Sequence, residues 1–180
     1  MKKKVYIFVL CIFTILYVTR VHYVHENVVL PTTHNIPQGE GGKYNGVEYT
    51  IVDVKMYDKD EYFDMNPQYI EYKIEDLDYK IMIVSVRLDK YEENPQVTQL
   101  LWLHYGYCAT AYNPFMCVDM NPELQEEQTK SGLVLDIPYE LYKDNLKEER
   151  WDNIEELDMF ISVGTYPDYN KLMIEEVDYE

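Results

Sequence analysis

The chain reads as a mainly β protein, a two-sheet sandwich preceded by a transmembrane helix and carrying one short helical segment. Three observations predict this. An uncharged apolar run follows a lysine cluster at the N-terminus, seven short strand-like segments fill the rest of the chain, and turn-forming Asn-Pro dipeptides separate them. With 180 residues, 47% of them hydrophobic and 27% charged, there is material for one folded domain beyond the N-terminal segment.

Lys2, Lys3 and Lys4 precede residues 5–19, fifteen residues without a charge, a glycine or a proline. This is an export signal, and the lysines outweigh Arg20, so the N-terminus stays inside and the remainder is translocated. Fifteen residues suit a signal-peptide core, whereas a spanning helix needs about 20. The run extends to Val24 if Arg20 snorkels, with Tyr17 and Tyr23 at the interface, and no small-x-small pair follows it. Residues 1–24 are therefore expected to be a signal-anchor that holds the chain in the cell membrane as a single-pass protein through residues 5–24; cleavage would make it a secreted protein. Cys11 lacks the small preceding residues of a lipoprotein signal and reads as a membrane-buried hydrophobe.

Residues 25–43 carry two prolines, three glycines and no sustained period, the composition of a tether. The extracytoplasmic domain then occupies residues 44–180. Its strands are expected at 47–57, 79–91, 99–105, 115–120, 133–137, 157–165 and 171–177. In the second of these, Met82, Val84, Val86 and Leu88 share one side, while Ile81, Ile83, Ser85, Arg87 and Asp89 grow progressively polar on the other. That pattern predicts a strand covered on both faces in its first half and emerging into water in its second. Asn66-Pro67, Asn94-Pro95, Asn113-Pro114 and Asn121-Pro122 fall between strands, where the missing donor of proline does no harm. Residues 138–154 are the helical exception, short turns packing Trp151 on the sandwich. Seven short strands with turns between them indicate an immunoglobulin-like sandwich.

The lysine-led apolar segment, the short tether, the domain opening Asn45-Gly-Val-Glu-Tyr-Thr-Ile and its closing Leu157-Asp-Met-Phe-Ile-Ser-Val-Gly-Thr-Tyr-Pro together carry a resemblance. Over essentially its whole length the chain resembles the membrane-anchored extracytoplasmic immunoglobulin-like domains of Gram-positive gut bacteria, a family without an assigned function. The resemblance implies an envelope location and a sandwich fold, with no reaction and no site residues.

Charge narrows the function. The chain has 16 Lys and Arg against 33 Asp and Glu, a net of −17, and from residue 27 onward 12 bases face 32 acids, a net of −20. Such a surface repels phosphate backbones and excludes nucleic-acid partners. Ser85, Ser131 and Ser162 lie in no Gly-x-Ser-x-Gly elbow, and residues 39–43 lack the spacing of a phosphate loop. His22, His25 and His34 belong to the juxtamembrane segment and His104 to a strand, poor scaffolding for a transition metal. The leading expectation is a non-catalytic module that binds a basic envelope or extracellular protein. A hydrolase assembled from dispersed carboxylates would leave no trace in residue spacing.

Three sets of candidate site residues remain. Asp58, Asp60 and Asp64, with Asn66, form the densest run of oxygen ligands and could begin a calcium site, which would make the chain a calcium-stabilised structural surface domain, although the EF-hand pattern is absent; a solvated acidic loop is the alternative, and no cofactor other than calcium is expected. Cys108 and Cys117 flank a turn and in an oxidising compartment are disulfide candidates, the alternative being two free buried thiols. Tyrosine accounts for 19 residues, and Trp102, Tyr105, Tyr107 and Tyr112 are candidates for an exposed aromatic binding platform, unless they fill the core and its rim.

Overall fold

The computed structural model describes residues 2–27, 32–89, 101–125, 132–165 and 168–179. The chain divides into two compact units, residues 1–31 and 32–180. The described part of the first is the helix α1 (Lys2–Asn27), whose 26 residues run about 39 Å at 1.5 Å per residue. Its described side chains are those of Tyr6 and residues 12–26, all exposed. The Thr19 hydroxyl donates back to the carbonyls of Ile15 and Leu16, so this polar group is satisfied within the helix. Among the described residues no helix is long and apolar enough to cross a membrane; residues 12–26 include Arg20, His22, His25 and Glu26.

The second unit is mainly β and consists of two sheets. Sheet A runs in the order β1 (Thr32–Ile36), β9 (Asp168–Ile174), β8 (Met159–Thr165), β5 (Trp102–Tyr105) and β6 (Cys108–Ala111). Sheet B runs β10 (Asp178–Tyr179), β3 (Val47–Asp58), β4 (Tyr79–Asp89) and β7 (Leu133–Tyr142), with β2 (Gly41–Tyr44) also paired to β3. All pairings are antiparallel except β1 with β9 and β10 with β3. The inward faces form one core in which Met82, Val84, Val86 and Leu88 of β4 meet Leu103, Ile161, Val163 and Leu172 of sheet A.

A second apolar cluster covers the other face of sheet B. Tyr79, Ile81 and Ile83 of β4 are buried there against Tyr62 and Phe63 of α2 (Lys59–Met65) and Met116 of α3 (Pro114–Met120). Beyond Ile83 the outward residues Ser85, Arg87 and Asp89 are only half-buried, as the progressive polarity of this strand predicts. The weaker alternation of β3 has a local cause. The register shifts between Ile51 and Asp53, leaving Val52 as the extra residue, so that Asp53 faces outward and Val54 returns to the core.

Three expectations are corrected. Residues 25–43 are not a tether throughout, because α1 continues to Asn27 and β1 and β2 occupy 32–36 and 41–44. β1 joins the edge of β9 by backbone pairing with only Ile36 packed on the core, so it carries no apolar alternation to read. The glycine run is used for close approach. A Cβ on Gly42 would stand 2.8 Å from Leu172 Cδ2.

Residues 115–120 form helix α3, not a strand. Asn113 caps it by accepting the Met116 N–H at 3.2 Å, Pro114 occupies the first turn, and Met116 and Cys117 turn inward while Phe115 and Val118 are exposed. Residues 138–154 are helical only in α4 (Glu148–Asp152) and two short 3₁₀ turns, Lys143–Asn145 and Ile154–Glu156, since β7 continues through Pro138 to Tyr142. That proline is tolerated because β7 is an edge strand of sheet B. Trp151 packs against the core as expected. The expected strand start at 99–100 and end at 90–91, and Asn94-Pro95, lie outside the described residues.

Asn121 pins α3 to the sheet. Its buried amide donates to the Cys117 carbonyl at 2.7 Å and to the Asp136 carbonyl at 2.8 Å, and accepts the Asp136 N–H at 2.8 Å. Truncation strands two backbone groups of β7 at once. Asn121→Ala is expected to cost about 2–4 kcal/mol in denaturant unfolding; a cost under about 1 kcal/mol would show that α3 docks without this amide.

Candidate binding cleft

The bulge at Val52 sets up a polar row across sheet B. Asp53 of β3 lies opposite Ser85 of β4, and Ser85 opposite Asp136 of β7. The Ser85 hydroxyl donates to Asp136 Oδ1 at 2.5 Å. No hydrogen bond or ion pair engages the Asp53 carboxylate among the described residues.

This row lies in the floor of a cleft of about 380 Å³ where sheet B emerges from under its helical cover. Tyr57, Tyr62 and Tyr69 line it together with Asn66, Gln68 and Met120, and Lys55 and Ile83 complete the floor. Asn66 ends α2 with its backbone N–H and its amide both donating to the Tyr62 carbonyl at 3.0 Å. The Tyr57 and Tyr62 rings meet edge to face at 5.4 Å, and the Tyr62 hydroxyl donates to Met120 Sδ at 3.9 Å. Tyr72, in the 3₁₀ turn Pro67–Tyr72, donates to Asp119 of α3, joining the two helical segments above the sheet. Burial, reinforced by Tyr69, Tyr57 and Asp136 nearby, pushes the Tyr62 hydroxyl far above its ordinary range.

Two carboxylates against one ammonium give the cleft a net charge of −1. Its volume lies near the lower end for ligand sites, with room for one long basic side chain. Carboxylates below and tyrosine rings around are the groups that hold an ammonium or guanidinium, by charge-assisted hydrogen bonds and by attraction to the ring faces. Ser85 lacks a histidine partner here, because His104 lies on sheet A, where its Nε2 is 3.0 Å from Ser162 Oγ. A larger hollow of about 700 Å³ adjoins the β5–β6 turn, but the one aromatic ring lining it among the described residues, Tyr107, already carries Arg150 at 5.2 Å.

The residues singled out from the sequence are dispersed. Trp102 and Tyr107 are exposed, Tyr105 is fully buried with its hydroxyl accepting from the Asn145 amide, and half-buried Tyr112 stands edge to face with Tyr139 at 6.5 Å. No single platform forms, because Trp102 and Tyr105 lie on opposite faces of the same strand. Asp58, Asp60 and Asp64 belong to α2 and its N-terminal boundary, not to a loop. Asp58 pairs with Lys80, Asp60 with Lys73 at 3.0 Å, and Asp64 is exposed; among the described residues no three His, Cys, Asp or Glu side chains converge as metal ligands. Cys108 and Cys117 are free thiols. The first donates to the Asn145 carbonyl at 3.0 Å, and the second is buried, which lifts its thiol to about 11.

Asp53, Ser85 and Asp136 escaped the sequence reading because cross-strand register, not chain spacing, brings them together. The available signal was a lone Asp inside each of two apolar runs, 51–54 and 133–137. No family model, curated protein or solved structure matches the chain.

Burial also raises Tyr49, Tyr79, Tyr105, Tyr139 and Tyr142 above the ordinary tyrosine value. The unfolded chain ionises these hydroxyls from about pH 10 while the folded chain keeps them protonated, so the stability they contribute is present below pH 10 and lost as pH rises above it. Phenolate absorbance on alkaline titration should show these buried tyrosines ionising only as the chain unfolds. Their ionisation with the fold intact would contradict the burial.

Proposed function

We propose that this chain is a membrane-tethered, extracytoplasmic, non-catalytic binding module of immunoglobulin-like topology, whose acidic tyrosine cleft receives a basic side chain of an envelope or extracellular protein. The observation that carries the binding role is the Asp53 carboxylate, which has no hydrogen bond or ion pair among the described residues, in the same row as Asp136 and beside Tyr57, Tyr62 and Tyr69.

The topology supports the fold part of this reading. Taking β3, β4 and β7 as strands A, B and E, and β9, β8, β5 and β6 as G, F, C and C′, gives the strand order of an immunoglobulin-like sandwich. Tethering rests on the sequence alone, the lysine cluster followed by the uncharged run 5–19.

A second reading has one observation in its favour. Asp53 and Asp136 stand two strands apart, about 9–10 Å by strand spacing, near the upper end of the separation used by inverting glycosidases. Release of reducing ends from envelope polysaccharide by the full chain would favour it over the binding role.

The binding role is tested with pentalysine titrated calorimetrically into the full chain in detergent micelles. Asp53→Asn is expected to weaken binding about 10-fold, the loss of one charge-assisted contact. Glu156→Gln, which removes the same charge away from the cleft, should change it less than about twofold, and raising salt from about 50 to 500 mM should weaken the native complex. Equal losses in the two variants would mean diffuse attraction to an acidic surface and would sink the cleft as the site.

A further inference from the structure

We propose that the outer face of sheet A is a self-association surface whose occupant is a second copy of this chain. On a chain of net charge −17, no outward position of β1, β5, β6, β8 or β9 among the described residues is Asp or Glu. One row across the face reads Asn35, Lys171, Ser162, Trp102, Ala111. The next reads Met173, Phe160, His104, Ala109.

Four side chains at the middle of this face are engaged with one another. His104 stacks on Phe160 at 4.5 Å with the rings 7° apart, its Nε2 meets Ser162 Oγ, and Lys171 Nζ lies 4.6 Å from the centre of the Phe160 ring. Burial and the neighbouring Lys171 both hold His104 below its ordinary value, toward the uncharged ring at neutral pH. The His104 and Ser162 side chains therefore have partners before the face is covered, which lowers the desolvation cost at the Trp102 end of the face.

Trp102 is the exception, 47% exposed beside the exposed methyl groups of Ala109 and Ala111 on edge strand β6. A large ring next to a shelf of small residues is self-complementary. A two-fold axis sets each Trp102 on the partner copy's Ala109–Ala111 shelf, one contact made twice.

Charge selects the occupant. Two copies of so acidic a chain repel wherever carboxylates meet, and like-charge juxtaposition costs several kcal/mol. The outer face of sheet A lets them approach without it. Five strands about 4.8 Å apart span about 20 Å, a patch smaller than that of a standard stable interface, which points to a weak, transient dimer.

Sedimentation of the full chain in detergent micelles tests this. A concentration-dependent monomer–dimer equilibrium is expected, weakened at least about 10-fold by Ala111→Glu, whose exposed site leaves the fold intact, and by Trp102→Ala. Raising salt should leave the dimer unchanged or strengthen it by screening the acidic surfaces, and Asp53→Asn should leave it unchanged, which separates this surface from the cleft. A chain monomeric at all concentrations would overturn the proposal. So would a dimer equally strong in native, Trp102→Ala and Ala111→Glu forms, since the contact would then lie elsewhere, including α1.

Discussion

Strand β4 must be buried on both faces, and the layers of the domain follow from that requirement. It lies between β3 and β7 in sheet B. Met82, Val84, Val86 and Leu88 project into the inter-sheet core, where only an opposing sheet supplies enough apolar surface. Tyr79, Ile81 and Ile83 project the other way, and a sandwich alone would leave them in water. Helices α2 and α3 cover them, with Phe63 and Met116 almost wholly buried. The cover stops where β4 turns polar, at Ser85, and the cleft opens at that margin. A structural need on one half of a strand thus creates a concave, tyrosine-walled edge beside the other half.

Each face of the domain carries a different electrostatic character. Outside sheet B, the polar row exposes carboxylate next to aromatic rings. Outside sheet A, the cross-strand rows carry aromatic, small and amide side chains with a single lysine and no carboxylate among the described residues. Because the two faces lie on opposite sides of one core, a partner held in the cleft and a second copy held on sheet A do not compete for the same surface.

The legible parts of the sequence were those governed by local period. β4 announced both its burial and its emergence, because alternation along one strand is written in consecutive residues. Three of the Asn-Pro pairs lie between strands, each proline opening a helical turn at Pro67, Pro114 or Pro122. What could not be read depended on distant segments. β1 shows no apolar pattern because backbone pairing with β9 holds it, and Gly42 looked like linker because its reason is Leu172, far along the chain. Helix α3 reads as a strand in the sequence because a short apolar run carries no period of its own, and its cap at Asn113 decides the matter. The cleft is the extreme case. Residues 53, 85 and 136 meet only through the register of three strands, and the Val52 bulge that turns Asp53 outward is a property of that pairing.

Amide hydrogen exchange on the full chain, with and without pentalysine, tests most directly whether the two-sided burial of β4 both holds the domain together and builds the cleft. The account predicts the slowest exchange in the first half of β4, at residues 81–84, and, on adding the peptide, slower exchange confined to residues 53–69 and the adjoining part of β7. Fast exchange at 81–84, or peptide-induced protection on sheet A in place of the cleft, would contradict it.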